Sequence, residues 1–376
     1  MQQNNYTKGV FYLLLFICII ASGVILKLAA AIVVPVVFSI LLSLVMLPLL
    51  RKLQSKFHIP WIFSAVLILL ISMVFIAATG NLLISSLRRI LSLYPRYEIR
   101  LKTIYEVFAK TFRLPFNETY SLMENLWDQL GIRNAIQSAV LTLSGDLISF
   151  SKTFMMIMLL ILFLVSELHY MREKINVAFP TPKLKGRVKH VFNNIIREIT
   201  NFISIKFIIS FATGALVGTG TYFVGLEFPV VWGFIAFILN FIPNFGSIFS
   251  SVLTIFFALI QFYPAVMPTV IVACIMIVVN VSLGTILEPR ITGSNLGLSP
   301  FIILVSLSIW GEMWGFAGFL LAVPVTVILK IICENISFLH PIAIFLGNHP
   351  EETKKQLSAV DESEQTSPET ESENKL

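Results

Sequence analysis

The chain has 376 residues, 56% of them hydrophobic and only 13% charged, with 32 phenylalanines and a formal charge of +6. A soluble domain is about a quarter charged, so this composition excludes a water-soluble globular fold and indicates an all-α integral membrane protein. The positive balance does not mark nucleic-acid affinity, because the basic residues sit mostly in segments flanking apolar runs.

In chain order, apolar runs predict helices over 9–26, 28–50, 61–84, 153–169, 207–225 and 265–287. Val10 to Leu26 follows Lys8, and Ala29-Ala30-Ala31 imitates a signal cleavage site. Ala29 already belongs to the next apolar run, which reaches Leu50, so a pair of membrane helices is expected instead. These three runs make an N-terminal membrane block, 1–84. Region 85–152 is basic (Arg88, Arg89, Arg96, Arg100, Lys102) and amphipathic, with Leu101, Ile104, Tyr105 and Phe108 three or four apart. It is expected to be helical, either capping the bundle or a neighbouring subunit, or touching solute. Residues 153–206 join the fourth helix to a basic segment, and 207–347 form the block that carries the two longest apolar stretches. From 348 to 376 the chain is rich in Glu, Ser and Thr and is expected to be a disordered acidic tail.

Lys and Arg in short loops set orientation. Arg51, Lys52 and Lys56, and the basic stretch 170–206, are expected on the cytoplasmic side, with both termini. Glu227 and Tyr263-Pro264 stand in short connections without basic residues, expected outside together with 85–152.

Two apolar stretches, Pro229 to Phe262 and Ser299 to Ile332, are too long for one crossing. About 34 residues of helix run ~51 Å against a hydrocarbon core of ~30 Å. Each is interrupted near its middle, by Pro243-Asn244-Phe245-Gly246 and by Gly311-Glu312-Met313-Trp314-Gly315. Two half-helices folded back at such a break make a re-entrant hairpin, whose tip must be buried in protein or line a watery cavity. The expected fold is therefore six transmembrane helices plus two re-entrant hairpins, about eight membrane segments.

The second half also looks duplicated. A helix (207–225), Gly225-Leu226 and Pro229 precede the first hairpin; a helix (265–287), Gly297-Leu298 and Pro300 precede the second. The assigned orientation inverts one unit relative to the other, the pattern from which many secondary transporters build a site that can face either side.

Candidate site residues follow from that frame. Glu312 is an ionisable group at a hairpin tip, either a mark of a solute, ion or proton path or a solvated turn residue. Asn240 and Asn244 bracket Pro243; their amides suit either a polar solute or turn chemistry. Gly246 and Gly315 close the two tips, and Gly246 is expected to supply the positive φ of a tight turn. Glu288-Pro289-Arg290, with Gly293 and Pro300 beyond, reads either as a mobile linker whose charges pair across states or as a helix stop with interfacial charges. Asn280 and Gln261 are expected to bond neighbouring helices, and Gly214-Ala-Leu-Val-Gly218 to allow close helix packing.

The sequence has no GxxxxGK[ST] loop for nucleotide phosphates, and its five histidines lack metal-ligand spacing. No Ser/His/Asp or paired-Cys arrangement suggests catalysis, so neither an enzyme nor a bound cofactor or metal is expected. Cys18, Cys274 and Cys333 lie inside apolar runs and are expected to be buried and inert.

Pro243-Asn-Phe-Gly246, Glu288-Pro-Arg-Ile-Thr-Gly293, Leu296-Gly-Leu-Ser-Pro300, Gly311-Glu-Met-Trp-Gly-Phe-Ala-Gly318 and Leu321-Ala-Val-Pro324 together resemble the signatures of the autoinducer-2 exporter (AI-2E) family of bacterial permeases. The resemblance covers residues 8–347 and is most specific over 229–330. It implies a multi-pass protein of the cytoplasmic membrane that forms homo-oligomers, with pentamers reported, and exports a small polar quorum signal. Some family members resemble sodium or proton antiporters. The family pattern often has Gly-Pro or Gly-Ala after the Pro243 region, where this chain has Asn244-Phe245-Gly246. The leading reading is a secondary transporter of a small polar solute such as autoinducer-2. Cation/proton antiport and a non-transporting membrane scaffold are the alternatives.

Overall fold

A computed structural model describes residues 2–111, 132–179, 181–243, 245–292, 298–336 and 339–347. Among them there is no strand, and seven helices are long and apolar enough to cross a membrane. The chain is an all-α integral membrane protein. Its helices are α1 (Gln2–Leu28), α2 (Ala30–Phe57), α3 (Trp61–Thr111), α4 (Ile132–Ala178) and α5 (Pro182–Val224). They continue with α6 (Pro229–Leu239), α7 (Phe245–Phe262), α8 (Val266–Val279), a π-helix (Asn280–Leu287), α9 (Glu288–Thr292), α10 (Pro300–Asn335) and α11 (His340–Leu346).

Three helices, α3, α4 and α5, run well past the ends expected from sequence. α3 has 51 residues, about 77 Å at the rise of an α-helix. Its apolar portion, Trp61–Ile90, is followed by the amphipathic stretch, which continues the helix rather than starting a new element. Pro95 lies inside it; proline removes one helical hydrogen bond and bends the axis without necessarily ending the helix. The basic segment before residue 207 is likewise helical, the first half of α5. Val188, Val191, Ile195, Ile199 and Phe202 recur there at three and four, and Ile199 and Phe202 are buried. Charge had masked that stripe. The predicted sixth helix, 265–287, changes at Asn280 from α to π geometry.

The chain divides into two compact units. The first comprises 1–44, 168–202 and 292–376. Within it α10 packs on α1 and α11, and Thr200 on α5 donates to the Leu44 carbonyl at 3.0 Å. α10 starts where sequence chemistry dictates. The Ser299 hydroxyl accepts from the Ile302 N–H at 3.2 Å, and Pro300 fills the first helical position, where no N–H is needed.

The second unit comprises 45–167 and 203–291. Its core joins Val217, Leu226, Ala236, Ala258, Val272, Met276 and Val279. α5 ends there in a Schellman motif: Gly225 has φ 81°, Leu226 N–H bonds to Thr221 O, and Gly225 N–H to Tyr222 O. Glycine contacts set the α5–α6 spacing. A Cβ on Gly214 would lie 2.7 Å from the Gly233 carbonyl oxygen, and one on Gly233 would lie 2.6 Å from that of Gly214. The Gly214–Gly218 pattern thus does what small residues do between membrane helices.

Beyond residue 84, the extension of α3 packs on α6 and α7 through Tyr97, Phe228, Val231 and Ile260. Tyr97 donates its hydroxyl to the Glu227 carboxylate, and Arg96 lies 3.5 Å from the other oxygen. Gln261 braces the same corner, donating to Gly225 O at 2.9 Å and accepting from Glu227 N–H at 2.7 Å. Residues 112–131 of that region, and the acidic tail, lie outside the described residues.

Cys18 and Cys274, expected to be buried, are exposed on apolar helices, and Cys333 is half-buried. Cys274 thus lies on the outer face of a helix whose other face, through Val272, Met276 and Val279, belongs to the core.

Candidate functional site

In the second unit, the stretch from Pro229 to Phe262 is two helices, α6 of 11 residues and α7 of 18, joined by a short turn and packed on each other. Asn240 caps α6 and is buried, and its amide donates to the Ser210 hydroxyl of α5 at 3.0 Å. Pro243 lies in the turn, and its carbonyl accepts from Phe245 N–H. Asn244 lies outside the described residues.

Gly246 corrects one expectation. It has no positive φ and sits in the first turn of α7. Its need is steric: a Cβ there would stand 1.6 Å from the Leu239 carbonyl oxygen, inside the backbone of the preceding helix.

Glu288 follows the π-helix, and its carboxylate pairs with Lys206 of α5, Nζ to Oε1 2.5 Å. The Lys206 side chain is 6% exposed and that of Glu288 24%. Pro289 accounts for the local geometry, because its ring would collide with a carbonyl four residues back, and wider π winding relieves that clash. The Glu288 carboxylate therefore finds its cation on α5, whereas Arg290 is exposed and has no carboxylate partner among the described residues. Lys206 and Ser210 are one turn apart on a single face of α5. That one turn holds both the end of α6 and the start of α9.

In the first unit, α10 is broken at Gly315, with φ 60° and ψ −137°. Residues eight apart in a straight helix lie ~12 Å apart, yet a Cβ on Gly318 would be 1.7 Å from the Trp310 carbonyl oxygen. The chain therefore reverses, and the two arms meet at backbone distance. At the reversal, Glu312 is exposed and pairs with Lys27 near the end of α1, 2.7 Å away. Trp314 donates its indole N–H to the Leu26 carbonyl at 3.1 Å. The tip is thus held to the end of α1 by one charged and one neutral bond.

The described structure gathers Asn240, Pro243 and Gly246 in one turn, places Glu288 on the same face of α5, and sets Glu312 and Gly315 together. Pro300 only opens α10, and Gly293 lies outside the described residues. Asn280 donates to the Ser251 hydroxyl at 2.8 Å, so it bonds a neighbouring helix. Sequence reading missed Lys206 and Lys27. Lys206 was legible as the only charged residue between Glu198 and Glu227, but a helix start placed one residue later left it in the basic segment. Among the described residues there is no group of three or more His, Cys, Asp or Glu able to hold a metal.

Apolar spans, helices reversed on glycine contacts and charged pairs inside or beside those spans define the class: a polytopic α-helical membrane protein. The family model for the AI-2E family transporter matches residues 11–338, and the chain belongs to that family. It is 29% identical over 341 residues to a Borreliella burgdorferi protein named for transport without a stated substrate, covering 90% of this chain and 91% of that one. A similarly named Haemophilus influenzae protein is 28% identical over 352 residues, 93% of this chain and 99% of that one. The AI-2 transport protein TqsA of Escherichia coli is 26% identical over 333 residues, 88% and 93% of the two chains.

Proposed function

We propose that this protein is a secondary transporter of the bacterial cytoplasmic membrane that exports a small polar solute, autoinducer-2 being the first to test, by alternating access. The observation that carries this reading is the pair of reversed helical elements. α6 has only 11 residues, ~16 Å of helix, about half of the ~30 Å hydrocarbon core. A reversal at its end belongs at membrane depth, where irregular backbone is tolerated only against protein or a watery cavity. The same pattern in α10 supports two re-entrant hairpins in an inverted repeat, with Asn240, Asn244, Glu312 and Gly315 on the solute path. Glu288 to Arg290, Gly293 and Pro300 form the linker between the repeats. The family resemblance supports a homo-oligomer, and TqsA's name supports the choice of solute.

The test is flux in proteoliposomes, with autoinducer-2, sodium and protons measured side by side. Efflux of autoinducer-2 carries the reading; exchange of sodium for protons alone replaces it with antiport, and no flux at all leaves a scaffold. Glu312→Gln is expected to remove the attraction to Lys27 while keeping size and polarity. If Glu312 carries a coupling proton, the variant loses the pH dependence of transport yet remains folded. An unchanged profile leaves Glu312 a tip anchor only.

Orientation has its own test. In a background without Cys18, Cys274 and Cys333, cysteines at Gln54 and Lys185 are expected to label only from the cytoplasmic side, and one at Glu118 only from outside. Labelling at Lys185 in intact cells would reverse the topology and remove the inverted-repeat argument.

A further inference from the structure

A groove on the second unit has a chemistry that solute transport does not use. Gly214, Gly218 and Gly233 bring α5 and α6 into backbone contact, and all three line a cavity that runs beside that contact. Aromatic rings stand along its rim. Phe207 stacks on Phe211 with centroids 6.4 Å apart and meets Phe237 edge-on at 5.8 Å. With Phe75 of α3 they wall an apolar cavity of about 450 Å³. A second cavity, of about 320 Å³, is lined by Ser85, Ser86 and Arg89, and the two share Pro229 and Val230 as a common wall.

The placement of these groups along α3 selects an occupant. Phe75, Thr79, Ser86 and Arg89 are spaced four, seven and three residues apart, so they share one face of the helix. Phe75 and Arg89 are ~21 Å apart along the axis, more than the ~15 Å of one leaflet's half of the hydrocarbon core. Arg89 stands at the last turn of the apolar span Trp61–Ile90, the level at which phosphates lie. Among the described residues it has no carboxylate partner. A guanidinium presents a fork of donors matched to phosphate oxygens. The rings below it offer nothing to a polar solute.

We propose that this groove seats one phospholipid of the surrounding bilayer, its phosphate on Arg89 and Ser86 and one acyl chain along Phe75, Phe207 and Phe237. A second copy of this chain seated there would have to strip water from Arg89 against an apolar wall. A bilayer phospholipid meets the cation with an anion and the wall with a chain.

The experiment is native mass spectrometry of the full-length protein, released from nanodiscs that contain phosphatidylglycerol and diacylglycerol with identical chains. Intact protein is expected to retain phosphatidylglycerol in preference to diacylglycerol. Arg89→Ala lowers that preference about fivefold, the worth of one basic residue at an anionic surface, and Arg89→Lys restores most of it. Ala215→Trp, at an exposed position on the groove wall, fills the chain slot and lowers retention of both lipids. Because the Trp variant reports on the slot alone, it remains decisive if Arg89→Ala does not fold. Equal retention in the wild type and both variants overturns the proposal. So does displacement of the bound lipid by millimolar inorganic phosphate alone, which marks a free-anion site. Dissociation of an oligomer by Ala215→Trp with lipid retention unchanged also overturns it, and marks a subunit interface.

Discussion

Gly246→Ala and Gly318→Ala are each expected to prevent accumulation of correctly folded protein, although alanine adds a single methyl group. The added carbon would lie 1.6 Å from the Leu239 oxygen in the first case and 1.7 Å from the Trp310 oxygen in the second. Both obstacles are backbone carbonyls at helix ends, so no side-chain rotation relieves them and the two arms must separate. The cost exceeds the usual 1–3 kcal/mol of overpacking. Gly315 differs. Its φ of 60° is strained for any other residue, but a Cβ there meets nothing within 4 Å, so Gly315→Ala is expected to cost ~1–3 kcal/mol of conformational strain. Gly284→Ala, also in open space and without positive φ, serves as the tolerated control. Yield of monodisperse protein in detergent and its thermal midpoint should rank Gly284, Gly315 and then the contact glycines. If Gly246→Ala matched Gly284→Ala, the close contact of α6 and α7 would be wrong.

That ranking also shows what was legible in the sequence. A broken apolar stretch is readable from its length, and Gly225, Ser299 and Pro300 announce helix ends through local chemistry that needs no tertiary context. Gly214 and Gly218 are readable as a spacing. Gly246 was marked for the right turn but the wrong reason, because conformational freedom is a property of one residue whereas a 1.6 Å clash depends on where Leu239 comes to lie. α3 beyond residue 84 was legible as helix through Leu101, Ile104, Tyr105 and Phe108, though not as a continuation of the third membrane helix. In the first half of α5 charge and apolar stripe coincide, and the charge hid the helix. The partner of Glu288 lies 82 residues away on another helix, and no local pattern encodes it.

Lys206 and Glu288 support the expectation with the widest consequences. Removing one member of a buried pair strands the other, at about 3–5 kcal/mol. The effect should be asymmetric. Glu288→Gln leaves an ammonium on a side chain only 6% exposed, whereas Lys206→Met leaves a carboxylate that is 24% exposed at the end of its apolar span. Glu288→Gln is therefore expected to lower the thermal midpoint more than Lys206→Met. The double variant removes both charges and should recover most of the lost stability, since replacing a buried pair by neutral groups of similar volume is often neutral or favourable. Transport should not recover with it. One turn of α5 holds Asn240 through Ser210 and Glu288 through Lys206, so a core that moves between two states must carry or release these bonds together. If the core alternates between two states as proposed, a pair that breaks and re-forms would set the balance between them, and a neutral substitute would not. Reconstituted flux and thermal midpoint measured on all three variants separate the roles. A stable double variant that still transports at the wild-type rate would reduce Lys206 and Glu288 to packing, and the coupling through α5 would fall with them.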